Sequence, residues 1–172
     1  MNNNLVITGN LIVNGTVNLN SNSSSSVKCV ILLDKEAPGV SGGTSIVGLT
    51  DRIFDTKIDS SNLITLNSGN ALFSFNETGD YLITAKVNGY SGIKSVLTYS
   101  NNSVLIIGSS NLNESSITSM SSMLSGRLNV SDTVTNYKLR QYYNTAVPTI
   151  GNGLSSASGE DNVYAQLMAI KL

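Results

Sequence analysis

The sequence predicts an all-β protein, an antiparallel jelly-roll sandwich of about ten strands preceded by a short N-terminal β-repeat. Three observations carry this expectation. Short runs of Val, Ile, Leu, Phe and Tyr recur along the chain, bounded by Gly, Pro, Asn and Asp. No stretch supports three convincing turns of amphipathic helix. The 172 residues suffice for one well-buried domain with a small appendage, and are too few for two ordinary domains.

Taken in chain order, the first element is a six-residue repeat, Asn4-Leu5-Val6-Ile7-Thr8-Gly9 followed by Asn10-Leu11-Ile12-Val13-Asn14-Gly15. Gly and Asn suit the reversals and the aliphatics suit the pleated segments between them. Such units cannot bury their apolar faces alone, so residues 1–20 are expected to form a stalk with copies from other chains. A hairpin packed on the following domain is the alternative. Residues 21–26, Ser-Asn-Ser-Ser-Ser-Ser, have nothing to bury and read as a linker. The head domain is then residues 27–172.

Within it, strands are predicted over residues 28–33, 52–58, 63–66, 71–75, 81–87, 94–99, 104–107, 123–130, 133–143 and 162–172. Tyr81, Ile83, Ala85 and Val87 alternate cleanly with Leu82, Thr84 and Lys86, which puts the two sets on opposite faces. Residues 114–123 are the one helical candidate, and their Ser-rich composition favours a loop. The last run is unusual. Val163, Ala165, Leu167 and Ala169 line one face, while Tyr164, Met168, Ile170 and Leu172 line the other, interrupted only by Gln166. A strand of an antiparallel sandwich normally shows one face to water, so two apolar faces imply a second buried surface, and subunit contact is its simplest source. The expected interface residues are Leu139, Tyr143, Tyr164, Met168 and Ile170.

Composition excludes several functions. Charged residues make up only 12% of the chain, and polarity is carried instead by 22 Asn, 27 Ser and 14 Thr. A net charge of −1 leaves no basic excess to neutralise phosphates, so nucleic-acid binding is not expected. No run reaches the roughly 18 to 20 apolar residues that span a bilayer, so no membrane insertion is expected, and the N-terminus lacks the pattern of a signal peptide. Cys29 is the only cysteine and reads as a small buried apolar residue. Six Asn-x-Ser/Thr sequons are about what this composition yields by chance.

The same scan finds no catalytic constellation. Gly39-Val40-Ser41-Gly42-Gly43 satisfies the pattern of a nucleophile elbow, but the chain contains no histidine to accept a serine proton, and a Gly-rich turn is expected instead. Asp51, Asp55 and Asp59 would share one face of a strand as solvated charges. Placed across a cleft, they would be the carboxylates of a glycan hydrolase. Without histidine, and with one cysteine, neither a zinc site nor a cofactor is expected. Glu160 and Asp161, joined by Asp132, are the only acids considered for an ion on an oligomer axis. No enzymatic activity is expected.

Residues 52–172 contain a series of motifs: Arg52-Ile53-Phe54-Asp55-Thr56, Phe75 through Gly79-Asp80-Tyr81-Leu82-Ile83, Leu124-Ser125-Gly126-Arg127-Leu128, Tyr137-Lys138-Leu139-Arg140-Gln141-Tyr142-Tyr143, Gly151-Asn152-Gly153-Leu154 and Val163-Tyr164-Ala165-Gln166. In order and spacing this series resembles the C-terminal head domain of phage tail-fibre and related virion proteins, within the jelly-roll group of tumour necrosis factor and the complement globular heads. Arg52, Gly79, Tyr81, Gly126, Arg140 and Tyr164 stand as its structural motif residues. Leu11-Ile12-Val13-Asn14-Gly15-Thr16 likewise resembles the repeats that precede such heads. Residues 27–50 fall outside the resemblance and are expected to supply the first jelly-roll strand. The resemblance implies a homotrimer on the virion surface, joined to other virion proteins through its stalk and contacting a host receptor or glycan. The candidate adhesive loops are residues 89–93, 109–122 and 144–158. A capsid-decorating protein without a receptor is the alternative, and a fibre-borne glycan hydrolase a weaker one.

Overall fold

The computed structural model describes residues 27–172 apart from 68, 70, 91, 112–118 and 156–158, with backbone only at Ser119. The predicted stalk and linker, residues 1–26, lie outside the described residues. Among the described residues are eleven strands: β1 (Cys29–Glu36), β2 (Gly48–Asp51), β3 (Thr56–Asp59), β4 (Ile64–Leu66), β5 (Phe73–Phe75), β6 (Gly79–Tyr90), β7 (Ile93–Tyr99), β8 (Val104–Asn111), β9 (Ser119–Val130), β10 (Asn136–Tyr143) and β11 (Asn162–Lys171).

They form two antiparallel sheets. One runs β3-β1-β11-β6-β9 and the other β4-β5-β10-β7-β8, with β2 also on β10. One flank of β10 is shared, since Asn136 and Tyr137 pair with β5 while residues 140–143 pair with β2. The first strand, β1, lies in the segment outside the family resemblance and pairs with the last strand, β11.

The core fills the space between the sheets. Val30, Leu32, Ile83, Val87, Leu124, Leu167 and Ala169 from the first sheet meet Ile64, Phe73, Phe75, Leu97, Tyr137 and Leu139 from the second. Alternation decides which side chains enter, and Tyr81, Ile83, Ala85 and Val87 are buried as their spacing predicts. Phe73 sits among three rings, with centroids 6.4 Å from Phe54 and 6.0 Å from both Phe75 and Tyr137. A second buried contact is polar. Ser122 Oγ accepts the Ser95 N–H at 2.8 Å, shares a 2.8 Å hydrogen bond with Ser95 Oγ, and lies 2.5 Å from the Ser109 carbonyl to which it donates. Ser122→Ala would leave the Ser95 N–H buried and unpaired. The expected cost is about 1 to 3 kcal/mol, read as a lower urea midpoint at unchanged slope.

Three predicted elements need correction. Residues 52–58 are not one strand. Arg52 N–H still donates to Leu139 of β10, at 2.8 Å, whereas Asp55 N–H donates to Leu33 of β1, at 3.0 Å, so the segment crosses from one sheet to the other. Before the crossing burial alternates, with Arg52 and Phe54 buried and Ile53 exposed, but beyond it Ile58 is exposed beside Ile31, so the inward-facing phase is lost. Residues 119–122, expected in a loop, extend β9 opposite β6. Cys29 is only half-buried, on the outer side of β1.

Register also orients the molecule. Residue 27 leads into the end of the sandwich where β6 starts, β9 ends and β11 ends. At the opposite end β6 meets the start of β9, β10 meets the start of β7, and β1 meets the start of β11. The described residues of the three predicted adhesive loops therefore gather at the end away from residue 27. Among their described residues, 89, 90, 93, 109–111 and 119–122 belong to strands, which narrows the loops themselves.

Candidate functional site

The outer faces of the two sheets differ in chemistry. On the β10 sheet, Asp51 Oδ1 accepts from Arg140 Nε at 2.7 Å and Asp51 Oδ2 from Lys138 Nζ at 3.0 Å, so that face is ionic. On the β11 sheet, cross-strand pairs align uncharged side chains. Ile58 faces Ile31, Ile31 faces Met168 and Met168 faces Thr84, while in the next row Cys29 faces Ile170 and Ile170 faces Leu82. Ile58 is 57% exposed and Leu82 is 37% exposed, so no part of the described chain covers this face. Beside it a hollow of about 200 Å³ opens between Lys86, Met123, Gln166 and Met168.

Of the five expected interface residues, Met168 and Ile170 lie on this face. Leu139, Tyr143 and Tyr164 do not. Leu139 and Tyr143 are fully buried within one chain and Tyr164 nearly so, which removes all three as direct contacts between copies. Leu139 joins the core, Tyr143 donates its hydroxyl to Asn152 Oδ1, and Tyr164 donates its own to the Val40 carbonyl at 2.7 Å. Sequence alternation marks a residue as facing inward or outward but does not say which covering it meets. Ile31, Ile58 and Leu82, absent from the prediction, join the face through register alone.

The motif residues are structural. Arg52, 3% exposed, donates from Nη2 to the Tyr164 carbonyl at 3.0 Å, and its Nη1 lies 3.5 Å from Asp34. Arg140 holds β2 to β10 through Asp51. Tyr81 donates to the Glu77 carbonyl at 2.8 Å, Gly79 opens β6 with φ of +131°, and Gly126 leaves room for Ile106. At the end away from residue 27, the β1–β2 and β10–β11 connections are laced together. Ser45 pairs with Val147, Gly42 N–H donates to Gly153 and Asn152 N–H to Gly43. A Cβ at Gly151 would come within 2.4 Å of the Ser45 backbone nitrogen, so only glycine permits this approach.

The acids considered for chemistry are dispersed. Asp51 lies in one sheet and Asp59 in the other, with Asp55 on the crossing between them. They do not share a strand face; Asp55 is exposed as expected, whereas Asp59 is not a solvated charge. The Asp59 carboxylate is enclosed and accepts the Ser61 and Ile64 N–H groups at 3.1 and 3.0 Å, and these backbone bonds outweigh burial and hold it below the usual carboxylate range. Asp55 receives the Lys35 N–H. Asp161 pairs with Lys35 at 2.6 Å near the start of β11, whereas Asp132 caps the β9–β10 turn at the other end, so these acids do not converge within the chain. Among the described residues no three His, Cys, Asp or Glu side chains group as metal ligands, and no helix is long and apolar enough to cross a membrane.

At the residue-27 end, a cleft of about 470 Å³ opens between the β7–β8 and β9–β10 turns, lined among others by Tyr99, Asn101, Asp132, Val134 and Tyr137. Sequence reading passes over it, because its residues come from two turns separated by some thirty positions of chain.

No family model and no curated protein matches the sequence. Solved structures do match the fold. Murine APRIL at pH 5.0 superposes with a TM-score of 0.57 at 12% identity, covering 85% of this chain and 99% of that one. The Eiger TNF of S. frugiperda gives 0.53 at 12% identity, covering 85% and 92%. The chain thus has the jelly-roll fold of tumour-necrosis-factor-like domains.

Proposed function

We propose that this chain is the head of a virion fibre or spike, a homotrimer that adheres to a host surface receptor and acts by display without catalysis. The observation that carries the proposal is the apolar strip on the outer face of the β11 sheet, where Ile31, Ile58, Met168, Ile170 and Leu82 lie in register and uncovered, with Lys86 and Arg127 at its β6–β9 edge. Each large apolar side chain removed from water contributes roughly 1.5 to 3 kcal/mol, so a handful per subunit outweighs the entropy lost on association. The ionic face of the β10 sheet would lose hydration on burial and is the natural outer surface. With residues 1–20 as stalk toward the virion, the laced loops at the far end stand outward, where a receptor would meet them. The use of Asp51 and Asp59 in folding supports display over glycan hydrolysis.

Light scattering at micromolar concentration is expected to give three chains per particle, and a stable monomer would refute the trimer. Met168→Lys, which adds one unpaired charge to each copy of the interface, is expected to yield folded monomers, since burying an isolated ammonium costs several kcal/mol. Added recombinant head should compete with virions for cells. Absence of competition at saturating dose would point to a decorating protein instead.

A further inference from the structure

We infer that the cleft between the β7–β8 and β9–β10 turns binds a neutral sugar. The site lies at the residue-27 end, opposite the laced loops, so it would form a second adhesive surface on the stalk side of the head, and its biological use rests on the adhesive reading above. Its volume of about 470 Å³ falls in the range of ligand sites, roughly 300 to 1,000 Å³.

The lining selects the ligand class. Asp132 is the single charged residue among its lining side chains, which disfavours phosphates, sulfates and acidic sugars. A cation is equally ill served, because Asp132 is already bound by its own turn. Its Oδ1 accepts the Val134 and Thr135 N–H groups at 2.9 and 2.7 Å, and its Oδ2 the Thr135 hydroxyl at 2.9 Å. These bonds fix the carboxylate and fill both lone pairs of Oδ1, while Oδ2 keeps one for a further donor. The other polar groups are neutral and of both kinds. The hydroxyls of Tyr99, Tyr137, Ser100 and Ser131 and the Asn101 amide nitrogen make no hydrogen bond among the described residues, while Asn101 Oδ1 is held by the Ser103 N–H at 2.9 Å. Burial, with Tyr99 and Asp132 beside it, raises the Tyr137 phenol above its ordinary value, so it remains a donor at physiological pH.

Half-buried Tyr99, tilted 33° against Tyr137 at 5.6 Å, adds aromatic surface to the cleft. A fixed carboxylate and unpaired neutral hydroxyl and amide groups beside an aromatic ring match a polyhydroxylated ring with one apolar face, and they suit neither an apolar ligand nor an ion.

Saturation-transfer NMR of the full chain with free neutral hexoses and N-acetylhexosamines at millimolar concentration is expected to show transfer to the sugar protons. Val134, 80% exposed at the rim, can be changed without touching the core. Val134→Arg should abolish the transfer, and Tyr99→Phe should weaken affinity at least several-fold, with unchanged melting and oligomeric state in both. Absence of transfer from every neutral sugar, or transfer unchanged in both variants, would overturn the inference. Binding of the head to cells that persists after periodate oxidation of their glycans and in Val134→Arg would likewise overturn it as an adhesive site, while leaving the trimeric head standing. A monomeric head that still gives sugar transfer would do the reverse.

Discussion

Phe73→Ala is expected to lower the stability of the domain by about 3 to 5 kcal/mol, the usual cost of truncating an enclosed aromatic ring. Phe73 is fully buried and packs among three rings: Phe54 on the crossing, Phe75 on its own strand and Tyr137 on β10. No neighbour can relax into the space without leaving its own place. The loss is therefore transfer free energy plus a cavity. For a domain of this length that is a fall in melting temperature on the order of 10 °C. Phe73→Leu, which keeps most of the volume, should cost less than half as much. A fall of under about 1 kcal/mol for the alanine variant would mean that the ring cluster does not anchor the sandwich.

Asp34→Asn is expected to remove a pH dependence of stability worth up to about 3 kcal/mol. Burial is the main cause that pushes the Asp34 carboxyl up to about 6. The Arg52 guanidinium at 3.5 Å offsets only part of this, and Asp55 and Glu36 push the same way as burial. A carboxyl raised on folding favours the folded state when protonated. Its contribution is complete below the ordinary carboxylate range and is lost as pH rises through about 6. Asp59, Glu77, Asp80 and Asp132 are shifted down, so their contributions are lost only in stronger acid. Between pH 4.5 and 7 the wild type should therefore lose stability relative to Asp34→Asn. Denaturant titrations of both proteins across that window test it, and parallel curves would mean that Asp34 titrates as it does unfolded.

Much of the fold was legible because it depends on local rules. Period-two alternation located most strands, and the run Tyr81, Ile83, Ala85, Val87 entered the core as spaced. The same rule misled at residues 52–58, where the hydrogen-bonding partner changes from Leu139 to Leu33 and the phase of burial changes with it, Phe54 being buried and Ile58 exposed. Alternation reports backbone conformation and side-chain facing; it carries no information about which strand lies alongside. For the same reason Leu139 and Tyr143 read as apolar residues in need of cover, though their cover is their own chain.

By itself, then, the sequence determined an all-β fold, the strand spacing, and a last strand apolar on both faces, because each follows from residue type and separation of one or two positions. Only the tertiary structure decided which face stays uncovered and which side chains share it. Ile31, Ile58, Leu82, Met168 and Ile170 come from four strands, and Tyr99, Asp132 and Tyr137 meet across two turns. Such sites arise from pairings between distant segments, set by the total packing of the core.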